Sequence, residues 1–327
     1  MRVLVTGAGS LLLGGVAAAL AARGDHVVCL QRSTLVLPDG VRQVQGDVRD
    51  ASAVRAAMQG CDAVLHGAAR VGVLGTWDDF RSVNVDGTAN VLAAARAEGV
   101  QRMVHVSTPS VAHAGHSLVG VGAEPAVTGR KGAFYAESKA MAERLALAAN
   151  HDDLAVVAVR PHLVWGPGDT QLVGRIVERA AAGRLVMVGD GSALVDTTYV
   201  DNAISAHVAA LDGVRPGAVC AGRAYVVANG EPRTVRELVQ GICDAAGVPF
   251  APRHVPVGVA VRVGAVVEKV WPRLRDGEPP ITRFVAEQLG TAHWFDPRPM
   301  RDDLGWSPRV SLDEGFVRLH DWFATQR

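Results

Sequence analysis

Short apolar runs alternate along the chain with longer segments in which alanine and leucine recur at helical spacing. The short runs predict β-strands at residues 2–6, 25–30, 41–44, 63–66, 102–107, 155–160, 185–188 and 224–228. The longer segments predict helices at residues 11–23, 51–58, 80–98, 134–150, 172–182 and 234–245. Because strands alternate with helices, the pattern indicates an α/β fold with a parallel, doubly wound sheet.

The most specific local pattern lies at the start of the chain. Strand 2–6 runs into a tight glycine turn at residues 7–10, and the first helix follows directly. Such a unit is typical of dinucleotide binding, because N–H groups at the helix start face a pyrophosphate. An ordinary glycine turn in an α/β protein is the alternative. The predicted cofactor contacts of this unit are Gly7, Gly9, Ser10, Leu11 and Leu12.

The alternation loosens beyond about residue 160, where loops with proline and glycine appear. We predict a Rossmann-type dinucleotide-binding domain over residues 1–165. Residues 166–327 should mainly form a smaller, mixed C-terminal substrate lobe, from which residues of about 185–230 return to the first domain. A substrate is expected among the loops outside the strand ends.

Composition narrows the possible partners. The 327 residues are 49% hydrophobic and carry 33 basic and 33 acidic side chains, so global charge gives no case for nucleic acid or an anionic membrane. The four cysteines show no metal-ligand spacing and are expected to be reduced, structural thiols. The apolar stretch 255–267 is too short and too polar for a membrane span. The first strand begins at residue 2, so we expect no signal peptide and a cytoplasmic protein.

Tyr135 and Lys139 form the most informative pair of side chains in the chain. Residues four apart share one face of a helix, so both groups can reach the same small volume. A phenol ordinarily loses its proton near pH 10, and a neighbouring ammonium lowers that pKa. The pair therefore predicts a general acid or base with a supporting cation, with an ordinary surface helix as the alternative.

Short motifs recur in a consistent order along the chain. They are Thr6-Gly7, Gly46-Asp47-Val48, His66-Gly67-Ala68-Ala69, Asn84-Val85-Asp86-Gly87-Thr88, residues 106–111, Tyr135 with Lys139, residues 160–168, and Tyr199-Val200-Asp201-Asn202. Together they resemble the extended short-chain dehydrogenase/reductase superfamily over essentially the whole chain. Residues 160–169, 195–202, 277–284 and 291–296 are most similar to its 3β-hydroxysteroid dehydrogenase and 2-alkyl-3-oxoalkanoate reductase group.

The resemblance implies roles for four side chains in catalysis. Tyr135 is the implied proton donor, and Lys139 is implied to lower its pKa and to bond the nicotinamide ribose. Thr108 is implied to hold the substrate oxygen, with Ser107 and Ser110 as adjacent alternatives. Asn84 is implied to orient the lysine, and a helix-capping role is its alternative.

The resemblance also implies further contacts with the cofactor. They are Asp47 and Val48 near the adenine, Ala68 and Ala69 beneath the ribose and nicotinamide, and Pro161, His162 and Val164 near the carboxamide. His66 fits a satisfied core histidine equally well, so we leave it out of catalysis.

The glycine turn departs from the family pattern. Ser10 and Leu13 stand where the second and third glycines are expected, with Gly14 next in the chain. The third glycine normally lets the helix approach the strand, so a leucine should push the helix away or shift its register, unless Gly14 takes over. The change at position 13 is either tolerated without an effect on function, or it weakens cofactor binding or lengthens the turn by one residue.

The end of the second strand bears on the choice of cofactor. It carries Gln31, Arg32 and Ser33, without the carboxylate that NAD enzymes usually place there. An arginine at this point can bind a 2′-phosphate. We therefore predict NADP(H), with NAD(H) possible if Arg32 stacks on the adenine.

The late segment 255–295 suggests the substrate class, since it is rich in valine and aromatic residues and has few carboxylates. We predict a small hydrophobic substrate, a 3β-hydroxysteroid or a 2-alkyl-3-oxo acid, with Arg175 or Arg283 to receive a carboxylate. One alternative is a nucleotide-sugar epimerase or dehydratase, which needs basic groups such as Arg223 for a diphosphate. The other is a non-catalytic NAD(P)-binding sensor or scaffold, which usually loses the tyrosine or lysine.

The helices predicted at residues 80–98 and 134–150 carry alanine-rich faces. Related enzymes pair these two helices across a two-fold axis, so we expect a homodimer. Packing of both faces inside one subunit is the alternative.

Overall fold

A seven-stranded parallel sheet forms the centre of the computed structural model, with strand order β12-β7-β5-β4-β1-β2-β3. The structure describes residues 1–72, 74–112, 117–130, 133–274 and 281–326. The strands are β1 Arg2–Thr6, β2 His26–Gln31, β3 Val41–Gln45, β4 Ala63–His66, β5 Arg102–Val106, β6 Leu118–Val121, β7 Ala155–Pro161, β8 Val164–Trp165, β9 Val186–Val188, β10 Leu194–Val195, β11 Thr198–Tyr199, β12 Ala224–Val227, β13 Arg233–Thr234, β14 Arg253–Val255 and β15 His293–Phe295. This order confirms the predicted α/β, Rossmann-type fold class.

Some helices cover the two faces of the sheet, and others pack outside it. They are α1 Leu11–Ala22, α2 Ala51–Met58, α3 Trp77–Arg81, α4 Gly87–Ala97, α5 Phe134–Ala148, α6 Val173–Ala181, α7 Val200–Gly213, α8 Val235–Ala246, α9 Val257–Leu274, α10 Arg283–Gly290, α11 Arg298–Leu304 and α12 Leu312–Thr325. Side chains alternate between the two faces of a strand. Val3 and Val5 therefore join the core beneath α1 and α7, whereas Leu4 joins the core beneath α2 and α4.

The helix predicted at residues 80–98 is not one regular helix. It starts earlier, as α3 at Trp77, and passes through a π-helical turn, Ser82–Asp86, before α4 begins. A π-turn adds a residue to a helix locally, which no hydrophobic spacing reveals, and such turns are frequent at functional sites. Gly87 follows the π-turn, where an added Cβ would lie 2.8 Å from the side chain of Val48.

Leu13 is accommodated by a glycine that is distant in sequence. Its side chain is buried between α1 and the sheet, and a Cβ on Gly67 would lie 2.6 Å from its terminal methyl group. An added Cβ on Gly14 would lie 2.9 Å from the Ala8 carbonyl oxygen, so Gly14 also permits a close approach. The helix keeps its place because Gly67 leaves room for the leucine.

The remaining strands form three smaller sheets. One has the order β13-β10-β15-β6, and the others pair β8 with β11 and β9 with β14. The strand predicted at residues 185–188 is β9, so it lies outside the central sheet, because its partner is β14. By contrast, β12 pairs with β7 in the central sheet. The domain boundary at residue 165 stays a prediction.

Several other expectations concern single features. The four cysteines are free and buried, as expected of structural thiols. Among the helices that the structure describes, none is long and apolar enough to cross a membrane. The motif at residues 277–280 lies outside the described residues. Helices α4 and α5 pack side by side, and the homodimer built on them stays a prediction.

Candidate active site

The carboxyl ends of β1, β4, β5 and β7 meet at one edge of the sheet, where the strand order reverses. Ligands of open α/β sheets bind outside the strand ends at such a switch point. The structure places Thr108 just after β5, Pro161 at the end of β7, and Tyr135 and Lys139 on α5 above this edge. The predicted catalytic residues are therefore close together.

Tyr135 lies against Thr108. The Thr108 hydroxyl acts to lower the pKa of the phenol, and it donates a hydrogen bond to the Ser110 hydroxyl at 3.2 Å. Thr108 is also the N-cap of a 3₁₀ turn, Pro109–Val111, which fixes its backbone. Burial raises the pKa of Tyr135, and the lowering of this pKa by Lys139 stays a prediction. The phenol therefore keeps its proton at neutral pH.

Lys139 lies one turn further along α5 and is buried. Its ammonium donates a hydrogen bond of 2.6 Å to the Val106 carbonyl oxygen at the end of β5. Burial lowers the pKa of Lys139 to about 8, although the carboxylate of Glu143 acts in the opposite direction. Lys139 is thus held beside the strand end as a cation that titrates close to neutral pH.

Asn84 is buried in the π-turn and does not cap a helix. Its amide group accepts a hydrogen bond from the Arg70 N–H at 2.7 Å and donates to the Arg70 carbonyl oxygen at 3.0 Å. It also donates to the Ser138 hydroxyl at 2.9 Å. Asn84 therefore joins the loop after β4 to the residue that precedes Lys139, and no direct contact with the lysine is among its hydrogen bonds within the described residues.

His66 is a satisfied core histidine, which agrees with leaving it out of catalysis. Its Nδ1 lies 2.8 Å from the Thr6 hydroxyl, and its Nε2 lies 3.0 Å from the Thr88 hydroxyl. The Thr88 hydroxyl donates its proton to the Asn84 carbonyl oxygen at 2.6 Å, so it accepts from Nε2, which assigns the ring proton to Nε2 and leaves Nδ1 to accept from the Thr6 hydroxyl. Burial lowers the pKa of His66 to about 3, and the ring is neutral.

Two buried polar side chains near His66, those of His105 and Ser107, lack hydrogen-bond partners among the described residues. Neither ring nitrogen of His105 is hydrogen-bonded among the described residues, and the same holds for the Ser107 hydroxyl. Burial and the charge of Lys139 lower the pKa of His105 well below its usual value. Of the three candidate hydroxyls, Thr108 is the one with the contact to Tyr135.

The sequence analysis missed a buried ion pair beneath the site. Arg160 donates from Nε to one carboxylate oxygen of Glu143 at 2.7 Å and from Nη2 to the other, and both side chains are at most 2% exposed. A third donor of Arg160 bonds the Glu124 carbonyl oxygen at 2.7 Å. The available signal was a glutamate four residues after Lys139, on the same face of the helix.

The glycine turn has the shape that a pyrophosphate requires. A Cβ added to Gly7, whose φ is +86°, would lie 2.8 Å from the Ala68 nitrogen. Leu11 and Leu12 begin α1, and N–H groups of a first helical turn have no partner within the helix. The Ser10 hydroxyl caps this turn by accepting from the Leu13 N–H at 3.2 Å. These residues fit a dinucleotide.

The adenine end of the site combines Gln31 with two arginines. The Gln31 amide nitrogen would lie 2.8 Å from a Cβ on Gly9, so this side chain stands at the turn. Arg32 follows it and is exposed. The Asp47 carboxylate accepts two hydrogen bonds from the Arg49 guanidinium, at 3.1 and 2.7 Å, and Arg49 lowers the pKa of Asp47. The adjoining Val48 is buried.

The loop after β7 is held by the small sheets. The His162 Nδ1 lies 2.6 Å from the Asp196 carbonyl oxygen, and its ring is edge-on to Phe295 with the centroids 5.0 Å apart. Val164 pairs with Thr198 in a short parallel sheet. Together with Pro161 these residues border the switch point. Ala68 and Ala69 border it from the loop after β4, and all these cofactor contacts stay predictions.

A model of the 3-beta hydroxysteroid dehydrogenase/isomerase family matches residues 30–256. The chain belongs to this family.

Individual relatives of this family extend the match to nearly the whole chain. A 2-alkyl-3-oxoalkanoate reductase of Stenotrophomonas maltophilia is 49% identical over 326 residues, which cover 98% of each chain. A 3 beta-hydroxysteroid dehydrogenase/Delta 5→4-isomerase of Mycobacterium tuberculosis is 34% identical, covering 99% of this chain and 90% of its own length. Membership and identity together establish an enzyme, an NAD(P)-dependent oxidoreductase, so the scaffold alternative is set aside.

Solved structures confirm the fold of this family member. MoeE5 in complex with UDP-glucose and NAD is 25% identical, with a TM-score of 0.75 and coverage of 100% of this chain and 99% of its own. A dTDP-glucose 4,6-dehydratase from Streptomyces venezuelae with NAD bound is also 25% identical, with a TM-score of 0.75 and coverage of 100% and 98%. These neighbours are extended short-chain enzymes.

The ion pair beneath the site generates a prediction about pH. Besides Glu143, the groups that face Lys139 are His66 on β4, His105 on β5 and Tyr135 on its own helix. Lys139 is protonated below its pKa of about 8, so a rate that needs the ammonium should fall as the pH rises through that value. Glu143→Gln removes the anion that raises this pKa, so the alkaline limb of the turnover profile should move to lower pH.

Glu137→Gln is the matched control for that measurement. Glu137 lies on the same helix and accepts hydrogen bonds from the backbone N–H groups of residues 129 and 130. Its substitution should leave the alkaline limb in place. An unchanged limb in Glu143→Gln would show that the ion pair has no electrostatic effect on Lys139.

Proposed function

We propose that the enzyme transfers a hydride between NADP(H) and the carbonyl or alcohol carbon of a hydrophobic 3-oxo or 3-hydroxy substrate. The observation that carries the proposal is that the buried Lys139 ammonium is held at the end of β5 by the Val106 carbonyl oxygen, with Thr108 two residues further along the chain and Tyr135 one helical turn before the lysine. These three groups lie at the carboxyl ends of the strands, on the same side of the sheet as the glycine turn at residues 7–10.

The bound nicotinamide supplies or accepts the hydride. In reduction, Thr108 holds the substrate oxygen by a hydrogen bond to its hydroxyl. Tyr135 then donates its phenolic proton to that oxygen as negative charge develops there. Because burial keeps the phenol protonated, the side chain starts in the state that a general acid needs.

Lys139 and Asn84 act through position and charge. The Lys139 ammonium stabilises the phenolate that remains after proton transfer, and its bond to the Val106 carbonyl oxygen keeps it next to the strand end. Asn84 holds the residue before the lysine through Ser138. A buried cation of this kind also suits the hydroxyl groups of a nicotinamide ribose.

The 2′-phosphate of NADP(H) is assigned to Arg32. Gln31 at the end of β2 is neutral, so no carboxylate in that position repels a phosphate. Arg32 is exposed and enters no ion pair among the described residues, which leaves its donors available. Asp47, two residues after the end of β3, forms an ion pair with Arg49.

An apolar substrate fits the relatives' names and the side chains that border the loop after β7. Leu118, Val226, Ala228 and Phe295 form a buried apolar cluster next to His162. The arginines considered for a diphosphate or a carboxylate are engaged elsewhere. Arg223 pairs with Asp303 at 3.0 Å, Arg283 pairs with Glu287 at 2.8 Å, and Arg175 bonds the Gln171 side chain at 3.0 Å. These partners leave none of the three arginines free for a diphosphate or for a carboxylate, so it is the apolar cluster that favours the hydrophobic substrate over a sugar nucleotide.

Tyr135→Phe tests the proton donor. The ring and its packing are kept, so turnover should fall by about two to four orders of magnitude while cofactor affinity is retained. Lys139→Ala should impair both turnover and cofactor binding. Steady-state kinetics and a fluorescence titration with the reduced cofactor measure the two effects. Near-normal turnover in Tyr135→Phe would rule out this mechanism.

Arg32→Ala tests the cofactor preference. Loss of a charge-assisted bond to the 2′-phosphate should weaken NADP(H) binding by about 1.5–3 kcal/mol and leave NAD(H) binding nearly unchanged. The control is Arg42→Ala, because Arg42 is an exposed arginine near the start of β3, away from the strand's carboxyl end. This substitution should change neither affinity. A wild-type preference for NAD(H) in the same titrations would contradict the assignment.

A competition assay tests the substrate class. Oxidation of the reduced cofactor is followed with a long-chain 2-alkyl-3-oxo acid and with a 3-oxo-steroid, whereas conversion of UDP-sugars is followed by chromatography of the sugar product, because an epimerase or dehydratase returns its cofactor to the starting oxidation state. Turnover is expected with one of the two apolar classes. Turnover of a UDP-sugar with no response to either apolar class would favour the epimerase or dehydratase alternative.

A further inference from the structure

Residues 127–130 form a strap beside the 3₁₀ turn that follows Thr108. Arg130, at the end of the strap, is half-buried. Its guanidinium donates two hydrogen bonds, one of 2.8 Å to the Ser110 carbonyl oxygen and one of 3.0 Å to the Val111 carbonyl oxygen. The last carbonyl groups of a helix need partners outside it, and a planar guanidinium can bond two of them at once. Arg130 therefore holds the far end of this turn.

Thr108 is fixed to the near end of the same turn. Its hydroxyl accepts a hydrogen bond from the Ser110 N–H at 3.3 Å, and its carbonyl oxygen accepts one from the Val111 N–H at 3.2 Å. The two residues whose N–H groups hold Thr108 are thus the two whose carbonyl oxygens accept from Arg130. A shift of the turn would therefore move the Thr108 hydroxyl with it.

The strap is also joined to α5, the helix that carries Tyr135. The Glu137 carboxylate accepts hydrogen bonds from the Gly129 N–H at 2.9 Å and from the Arg130 N–H at 2.8 Å. Glu137 lies two residues after Tyr135, in the first turn of the helix. One chain of hydrogen bonds therefore runs from the turn of Thr108, through the strap, to the helix of Tyr135.

We propose that Arg130 is a positioning residue, which holds the Thr108 hydroxyl at a fixed distance from the Tyr135 phenol so that one substrate oxygen can contact both. The two groups lie at the end of β5 and on α5, so their distance depends on what joins these two elements. This inference rests on the proposed function, in which both groups act on the substrate oxygen. A misplacement of about 1 Å can lower a rate by about 10²-fold.

Position rather than charge is the contribution expected of Arg130. Burial and Glu143 shift the pKa of Lys139, which sets the alkaline limb of the turnover profile. Burial lowers the pKa of Arg130, and the Glu137 carboxylate acts in the opposite direction. Because the guanidinium interacts electrostatically with Glu137, replacing Arg130 should lower the height of the profile and leave its alkaline limb in place.

Arg130→Met tests the proposal, since it removes both donors and keeps a long side chain. The kcat should fall by about 10²-fold, because the Thr108 hydroxyl is no longer held in place. Affinity for the reduced cofactor should be nearly unchanged, because the glycine turn at residues 7–10 follows another strand. Arg130→Lys keeps the charge and can bond one carbonyl oxygen, so it should recover part of the rate. Steady-state kinetics and a fluorescence titration measure both quantities.

The matched control is Arg144→Met. Arg144 is exposed on α5 and donates a hydrogen bond of 2.9 Å to the Thr128 hydroxyl, so it joins the same strap to the same helix at a point away from the turn. This variant should keep the wild-type kcat. Thermal unfolding verifies that both variants are folded. Arg130→Gln, which keeps one amide donor group, replaces the methionine variant if that variant unfolds.

Thr108→Val separates this inference from the proposed function. It removes the hydroxyl that is assigned to the substrate oxygen, so kcat should fall with this substitution alone. Residues that act as a unit are not additive. Arg130→Met should therefore lower kcat much less in the Thr108→Val background than in the wild type.

Near-normal turnover in Thr108→Val would contradict the proposed function, and this inference with it. Impaired turnover in Thr108→Val together with a wild-type kcat in Arg130→Met would overturn this inference alone. Equal losses from Arg130→Met in both backgrounds, or an equal loss in Arg144→Met, would assign Arg130 to the stability of the fold. A shift of the alkaline limb in Arg130→Met would show that Arg130 acts by charge and would also overturn the inference.

Discussion

The seating of α5 on the sheet depends on buried polar contacts. Within two turns of the helix, Ser138 bonds Asn84, Lys139 bonds the Val106 carbonyl oxygen, and Glu143 bonds Arg160. A buried polar group without a partner is costly, and removing one member of a buried ion pair costs about 3–5 kcal/mol. The helix therefore has one favourable height and rotation, which places Tyr135 next to Thr108.

Close packing explains how a leucine at position 13 is tolerated. A leucine in place of a glycine adds volume between α1 and the sheet, and overpacking of this kind typically costs about 1–3 kcal/mol. Gly67, in the loop after β4, supplies the missing space. Gly67 lies more than fifty residues after Leu13 in the sequence, so a local motif around Leu13 cannot reveal that Gly67 makes room for it. Helix α1 remains where its first-turn amides face the switch point.

Strong local patterns were sufficient to predict the central sheet and the Tyr135–Lys139 face of α5, because apolar runs and helical spacing are local signals. The π-turn at residues 82–86, the ion pair of Glu143 with Arg160 and the partner of Lys139 could not be predicted this way. Each depends on which groups meet after folding. The effect of burial on the pKa of Tyr135 could not be predicted either, since it depends on what covers the phenol after folding.

Burial also sets the protonation states of Tyr135 and Lys139, by raising the pKa of the phenol and lowering that of the ammonium. The phenol is neutral because its pKa is raised, and the ammonium is close to titrating because its pKa is lowered to about 8. Attraction between them arises only once the tyrosine has given up its proton, since a neutral phenol has no charge to attract. In the proposed mechanism, the lysine then stabilises the product of proton transfer more than the starting state. An interaction that strengthens along the reaction accelerates it, whereas one that is equal in both states does not.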